Sequence, residues 1–516
     1  MSVAESGSSE RRISNPVLAG FYPDPSAVRV GDDYFLVTST FEYFPGVPLF
    51  HSRDLVHWQQ LGHCLTRDSQ LSLQGAGSSK GIFAPTLRYH AGTFYMVTTN
   101  MSLGASFFIT ARDPHGPWSE PVWIEEESWG MDPSLLFDDD GKVYYTRHGG
   151  GERGGVYQAE IDPASGELDA EPRLIWAGTG GVWPEGPHLY KVGSYYYLLI
   201  SEGGTSYEHR LTIARSSSPW GPFEPCASNP ILTHADRRDL PIQATGHGDL
   251  LQAANGSWWL VLLGIRPTDG GHHHLGRETF LAPLTWSVDG WPVVNGGAPI
   301  QLDQPAPGLF EWIPGEAPPA RDEFEGSELG LQYNYLRNPR RERYSLRARP
   351  GFLRLLGSRS TLDDEASPTF VGRRQQHLHA TMGTSLEFTP ADESERAGLV
   401  LRANEANHYD LSIQGVGKRR QLRMTTRVAG NASLLANVDL AAGPVALWIE
   451  AEPHQYAFFY AQGTSERRLL GQAPTLPLSS EAAGGFTGVY VGMYATAENA
   501  VQPAPADFDW FEYAPG

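Results

Sequence analysis

Apolar residues along this chain fall in short runs, and no long stretch repeats them at the spacing of a helix face. One unit recurs five times: a short apolar run, a turn, then a run rich in aromatic and branched residues. The copies read PDPSAVRVGDDYFLVTS, APTLRYHAGTFYMVTTN, DPSLLFDDDGKVYYTRH, EGPHLYKVGSYYYLLIS and HGDLLQAANGSWWLVLLG. Their aromatic runs begin near Tyr34, Phe94, Tyr144, Tyr195 and Trp258, at spacings of 60, 50, 51 and 63 residues. That is the length of a four-stranded blade with loops of varying size. Gly31-Asp32, Asp140-Gly141 and Asn255-Gly256 stand where each hairpin must reverse. The pattern predicts an all-β chain that opens with a five-bladed β-propeller over residues 1–298.

After the fifth copy the alternation stops. Pro299, Pro305, Pro307, Pro314, Pro318 and Pro319 crowd residues 299–321, which read as an extended linker. From 322 to 516 short alternating segments return, among them AGLVLRAN, HYDLSIQ, QLRMTTR, ALWIEA, VYVGMYA and DFDWFEY. With turns between them and no helix, they predict an antiparallel β-sandwich of the jelly-roll or concanavalin-like kind. Bracing the propeller is its plainest role; sugar binding and assembly are the others.

Composition narrows the partners. With 40% hydrophobic and 19% charged residues the chain is globular, and its formal charge of −20 argues against nucleic acid or an anionic membrane. A neutral substrate such as a small oligosaccharide is compatible. Cys64 and Cys226 form neither a disulfide framework nor a metal-site spacing. The polar start MSVAESGSSERRISNP has no apolar core of a signal peptide, and no run reaches the roughly 18 apolar residues of a membrane span. A cytoplasmic location is expected.

The repeat also places chemistry. Asp24, Ala84, Asp132, Glu185 and His247 open the five copies, each 10 to 12 positions before its aromatic run. The first strand of a blade lines the propeller axis, so these positions should converge at one end of it. DP, EG or HG is ordinary turn chemistry in any single copy, but three acids at matched phase outweigh that reading. Cleaving a glycosidic bond takes two carboxyl groups in different protonation states. A third acid, or an apolar wall such as Trp183, keeps the donor protonated. Glu185, one methylene longer than aspartate, suits the proton donor.

The segments NPVLAGFYPDPSAVRVGDDYFLVTSTFEYFPGVPLFHSRDLVHW, GMDPSLLFDDDGKVYY, WPEGPHLY, QATGHGDL and HHLGRETFLAPLTW resemble glycoside hydrolase family 43, above all its bacterial β-xylosidase and α-L-arabinofuranosidase branch. The resemblance runs along nearly the whole chain. It implies an inverting mechanism with Asp24 as general base, Glu185 as general acid and Asp132 as the acid that tunes and positions the donor. Base and acid then stand roughly 6.5–9.5 Å apart, with a water between. Arg277 matches the arginine that binds sugar hydroxyls; without the family it reads as a partner of Glu278. Phe41 matches an aromatic bordering the sugar, and Phe486 resembles a sandwich residue pushed toward the pocket. Phe83 departs from the pattern, because relatives commonly carry Trp there, and that puts the choice of sugar in doubt. Of His272, His273 and His274, which cannot all face one ion, His274 is expected nearest Arg277. His247 matches a histidine that in relatives helps hold an axial calcium, often through water, although calcium prefers oxygen ligands. No cofactor is required for the chemistry, and a homo-oligomer, dimer or tetramer, is implied.

The resemblance therefore implies an exo-acting enzyme that releases xylose from the non-reducing end of short β-1,4-xylo-oligosaccharides. The close alternative is an α-L-arabinofuranosidase, or a dual-activity enzyme, acting on arabino-xylo-oligosaccharides or arabinan fragments. Two other classes are a retaining fructan- or sucrose-cleaving propeller and a non-catalytic sugar-binding one. The first needs an Arg-Asp-Pro opening the third repeat and a Glu-Cys pair. Here Arg112-Asp113-Pro114 ends the second repeat, and Glu-Cys does not occur. Gly149-x-Gly151-x-x-Gly154 fits a dinucleotide fingerprint, but strands flank it, so it reads as a loop near the site. The acidic runs Glu125–Glu127 and Asp138–Asp140 read as solvated turns.

Overall fold

The computed structural model describes residues 11–126, 129–309, 312, 319–417, 419–500 and 502–516. Five antiparallel sheets follow one another along the chain, each with its strands in chain order and the first innermost; the first skips Tyr43–Phe44. Their inner strands are Ser26–Val30, Thr86–His90, Gly130–Phe137, Glu185–Val192 and Gln243–Gln252. The ring is fastened by the N-terminal strand Arg12–Ser14, which pairs with Asp303–Pro305. The sandwich begins to pair at Arg321, opposite Glu512. The connector is therefore shorter than the span 299–321; Pro314 and Pro318 lie outside the described residues.

A backbone irregularity repeats in the blades. The inner strands lose register between Met131 and Ser134, between Glu185 and His188, and between Gly246 and Asp249. At those points Asp132 (φ 54°), Gly186 (φ 57°) and His247 (φ 45°) adopt the left-handed conformation, as Asp24 (φ 54°) does in the first blade. A bulge re-aims one side chain out of the alternating pattern, here toward the end of the axis. This corrects the phase read from the sequence. The residue equivalent to Asp24, Asp132 and His247 in the fourth blade is Gly186, and Glu185 stands one position earlier.

Two residues beyond Asp24, Gly186 and His247 lie Ser26, His188 and Asp249, which build a polar plug under the site. Asp249 accepts hydrogen bonds from Ser26 Oγ (2.6 Å), Arg88 Nη1 (2.9 Å) and Tyr190 Oη (2.6 Å), and Arg88 Nη2 lies 2.8 Å from His188 Nδ1. Burial alone would raise the Asp249 pKa, but Arg88 and then His188 bring it down to about 2. Four of the five blades meet in this network, so it fixes their mutual rotation as apolar packing alone would not.

The sandwich comprises two eight-stranded sheets. Strand Val445–Ala451 alternates buried and half-buried positions, as a sheet with one dry face should. Strand Tyr490–Ala497 is buried on both faces, because its outer face meets the propeller. There the sheet accepts a strand from the first blade, Tyr43–Phe44, paired with Asn334–Leu336. Tyr43 stacks on Tyr490 with ring centroids 3.8 Å apart. Arg402, fully buried beside them, reaches Glu405 at 2.9 Å and Glu42 at 3.6 Å. A buried guanidinium without such partners would be costly.

The two cysteines are buried and free. The acidic runs are more than solvated turns: Glu126 pairs with the buried Arg147, and buried Asp138 binds Lys191 (2.7 Å) and Tyr196 (2.5 Å). Glu127 lies outside the described residues.

Candidate active site

At the end of the axis toward which the bulges point, a cavity of about 400 Å³ is floored by Asp24, Asp132, Glu185 and His247. Asp24 is 4% exposed. Arg277 Nη1 donates to its Oδ1 at 2.8 Å, Ser39 Oγ donates to its Oδ2, and His247 Nδ1 lies 3.8 Å away. Burial raises its pKa, yet Arg277, His247 and Ser39 outweigh burial and hold it below the usual carboxylate value. This acid stays ionised, as a base must.

Asp132 is the opposite case. Burial first, then Glu185 and Asp24, hold its pKa well above the usual range, and a hydrogen bond from Gly186 N at 3.2 Å offsets this only in part. Two carboxyl groups repelling each other in a dry site keep a proton between them. Asp132 is therefore the acid held protonated, and half-buried Glu185 lines the cavity beside it.

Arg277 does not pair with Glu278. Glu278 is taken by Arg266 at 2.6 Å, which leaves Arg277 for Asp24 and for Thr205 Oγ1 at 3.1 Å. The guanidinium lies 5.5 Å from the Phe41 ring and 5.6 Å from the Phe486 ring, within cation–π range of both. Phe41, Phe83 and Phe486 form one wall, with centroids 5.1, 5.9 and 6.2 Å apart. Phe486 comes from the sandwich, its backbone N–H donating to Ser79 Oγ at 2.8 Å.

His274 is not at the site. Its buried ring packs 5.9 Å from Tyr456 and 6.1 Å from His272, and burial lowers its pKa to about 3. The loop's contribution comes instead from His273, whose Nδ1 lies 2.7 Å from Glu481 in the segment leading to Phe486. Toward a calcium ion the described residues offer the His247 imidazole but no group of three or more histidine, cysteine or carboxylate ligands. An ion there would be held mainly through water, and no step of the chemistry is assigned to it.

Lys80, Met101, Trp129 and Thr205 also line the cavity, and sequence reading missed them. A topological signal was available: Phe41, Met101 and Thr205 each follow the second strand of their blade, after Val37, Asn100 and Glu202. Trp183 also lines the cavity, its backbone N–H donating to Glu152 O at 2.7 Å, so the glycine-rich loop 149–154 props this part of the wall. His148 lies 5.7 Å from Trp183 and 6.5 Å from Trp129 and meets Pro184 O at 2.8 Å. It supports both rings and the backbone next to Glu185.

One carboxylate held ionised and another held protonated, with a third carboxyl group beside them in a pocket of sugar size, suit acid–base cleavage of a glycosidic bond. The class is that of the glycoside hydrolases. Within it, residues 13–292 match the model of Glycosyl hydrolases family 43, and residues 321–514 match the Beta xylosidase C-terminal Concanavalin A-like domain. The chain belongs to glycoside hydrolase family 43. It is 45% identical to a non-reducing end α-L-arabinofuranosidase of Bacteroides ovatus, across 98% of this chain and 95% of that one. It is 42% identical to a xylosidase/arabinosidase of Butyrivibrio fibrisolvens, across 96% and 98% respectively. The crystal structure of xylan β-1,4-xylosidase from Bacillus halodurans superposes with a TM-score of 0.93 at 38% identity, covering 97% of this chain and all of that one.

Proposed function

We propose that this enzyme removes terminal β-1,4-linked xylose from the non-reducing ends of short xylo-oligosaccharides, with inversion at the anomeric carbon. The observation that carries the reading is the wall formed by Phe41, Phe83 and Phe486 beside the acids. A sandwich residue closes one side of the pocket, which suits a chain end better than the middle of a polymer. Arg277, pinned to Asp24, can also bind sugar hydroxyls. Glu185 gives its proton to the glycosidic oxygen as the C1–O bond breaks. Asp24 takes a proton from a water that bonds to C1 on the opposite face. Asp132 keeps the proton inventory of the pair from falling to zero. Cleavage of α-L-arabinofuranosides is the second reading, favoured by the 45% identity to an enzyme of that name.

The test is hydrolysis of xylobiose, 4-nitrophenyl β-D-xylopyranoside and 4-nitrophenyl α-L-arabinofuranoside, with the anomer of the product followed by NMR. Asp24→Ala should abolish release from all three. Glu185→Ala should lose about 10²–10⁴-fold on xylobiose and less on the nitrophenyl glycosides. Dominant arabinose release would replace the sugar and keep the mechanism. A folded protein inactive on all three would overturn the reading.

A further inference from the structure

The proton donor has a neighbour that neither the repeat nor the family motifs indicate. His209 precedes strand Arg210–Ser216, and its ring is fully buried. Its Nδ1 lies 3.3 Å from the carbonyl oxygen of Ala244. A carbonyl can only accept, so Nδ1 carries the hydrogen, and in the neutral ring Nε2 is left with a lone pair. That Nε2 lies 3.5 Å from Glu185 Oε1, is buried, and has no hydrogen-bond partner. The placement is built in. A Cβ on Gly246 would come within 2.3 Å of the imidazole, so glycine in QATGHGDL is what lets the ring sit against the strand. Ala244 itself holds a positive φ of 53°.

We propose that His209 is a positioning residue for proton donation: its Nε2 accepts a hydrogen bond from the Glu185 carboxyl O–H and holds that carboxyl turned toward the leaving oxygen. The inference rests on Glu185 being the proton donor. Other titratable groups that interact with Glu185 are Asp132, His148 and His247, and Asp24 and Arg277 line the same cavity. None of them combines a buried, unpartnered acceptor nitrogen with a 3.5 Å approach to the carboxyl oxygen. Catalytic hydrogen bonds are often long in a free enzyme and shorten once substrate excludes water, so this gap is one that binding can close. After transfer the carboxylate no longer offers a hydrogen to Nε2, and the hydrogen bond re-forms when the carboxyl is reprotonated for the next cycle.

The experiment separates proton donation from general damage. His209→Ala, His209→Gln and Glu185→Ala are compared on xylobiose, whose leaving group needs a proton, and on 2,4-dinitrophenyl β-D-xylopyranoside, whose leaving group does not. If arabinofuranosides are the substrates, methyl and dinitrophenyl arabinofuranosides take their place. His209→Ala should lower kcat on the unactivated substrate about tenfold or more and on the dinitrophenyl glycoside less than about threefold. His209→Gln, whose amide oxygen can accept the same hydrogen bond, should recover most of the loss. Retained turnover of the dinitrophenyl glycoside also reports an intact fold. Equal losses on both substrates, or no loss on the unactivated one, would overturn the proposal. If Glu185→Ala itself fails to discriminate between the two substrates, the assignment of the donor falls instead.

Discussion

Arg277 reaches Asp24 across 253 positions of sequence and is the largest of the contacts that keep this acid ionised. The site's carboxylates are chemically alike, and their neighbours set them apart: guanidinium and hydroxyl for Asp24, a second carboxyl for Asp132. Removing the arginine should therefore affect both rate and pH dependence. Arg277→Ala is expected to lower kcat/KM by about a hundredfold, through lost orientation of sugar and base. Because Arg277 lowers the Asp24 pKa, its loss raises it. The acidic limb of the kcat/KM profile, where activity disappears as the base becomes protonated, should then move to higher pH. A limb that stays in place would assign it to another group. The aspartates and Glu185 were legible because they open repeated motifs. His209 was not, since one histidine ahead of a strand carries no mark of its partner.

At the scale of the element, a bulged inner strand does most of the positioning. Ordinary alternation would point residues to one face or the other of a blade; the left-handed turn at Asp24, Asp132, Gly186 and His247 aims them along the axis instead. The fourth blade puts glycine at this point and its acid one residue earlier, because a Cβ on Gly186 would lie 3.0 Å from the His247 ring. Gly186→Ala should cost about 1–2 kcal/mol in stability through its positive φ. It should also lower activity at least about tenfold by displacing His247 and, with it, Glu185 and Asp132. Gly141→Ala is the control, because Gly141 has a positive φ of 85° and open space around its Cβ position. Thermal unfolding and steady-state kinetics should show similar stability losses and an activity loss in Gly186→Ala alone. The strands and their spacing followed from alternation. The bulges did not, because a one-residue shift leaves the hydrophobic pattern almost unchanged.

Across the whole molecule, propeller and sandwich share one sheet through Tyr43–Phe44 and one pocket through Phe486. Phe486 is 37% exposed, so its ring contributes little to the core and is free to contact sugar. Phe486→Ala should leave the melting temperature nearly unchanged and raise KM about tenfold, with a smaller effect on kcat; unchanged KM would mean that the wall does not touch substrate. The sandwich was expected mainly to brace the propeller, and its part in the pocket was visible only as a family resemblance. Alternation, turn residues and repeated DP motifs by themselves determined the five blades, the sandwich and the principal acids, because strand periodicity and hairpin chemistry are local. Tertiary structure alone decided that Arg277 serves Asp24 and not Glu278, that His274 packs away from the site, and that His209 faces Glu185. Those outcomes depend on which distant side chains burial brings together, and contacts between residues far apart in the chain leave no period in the sequence.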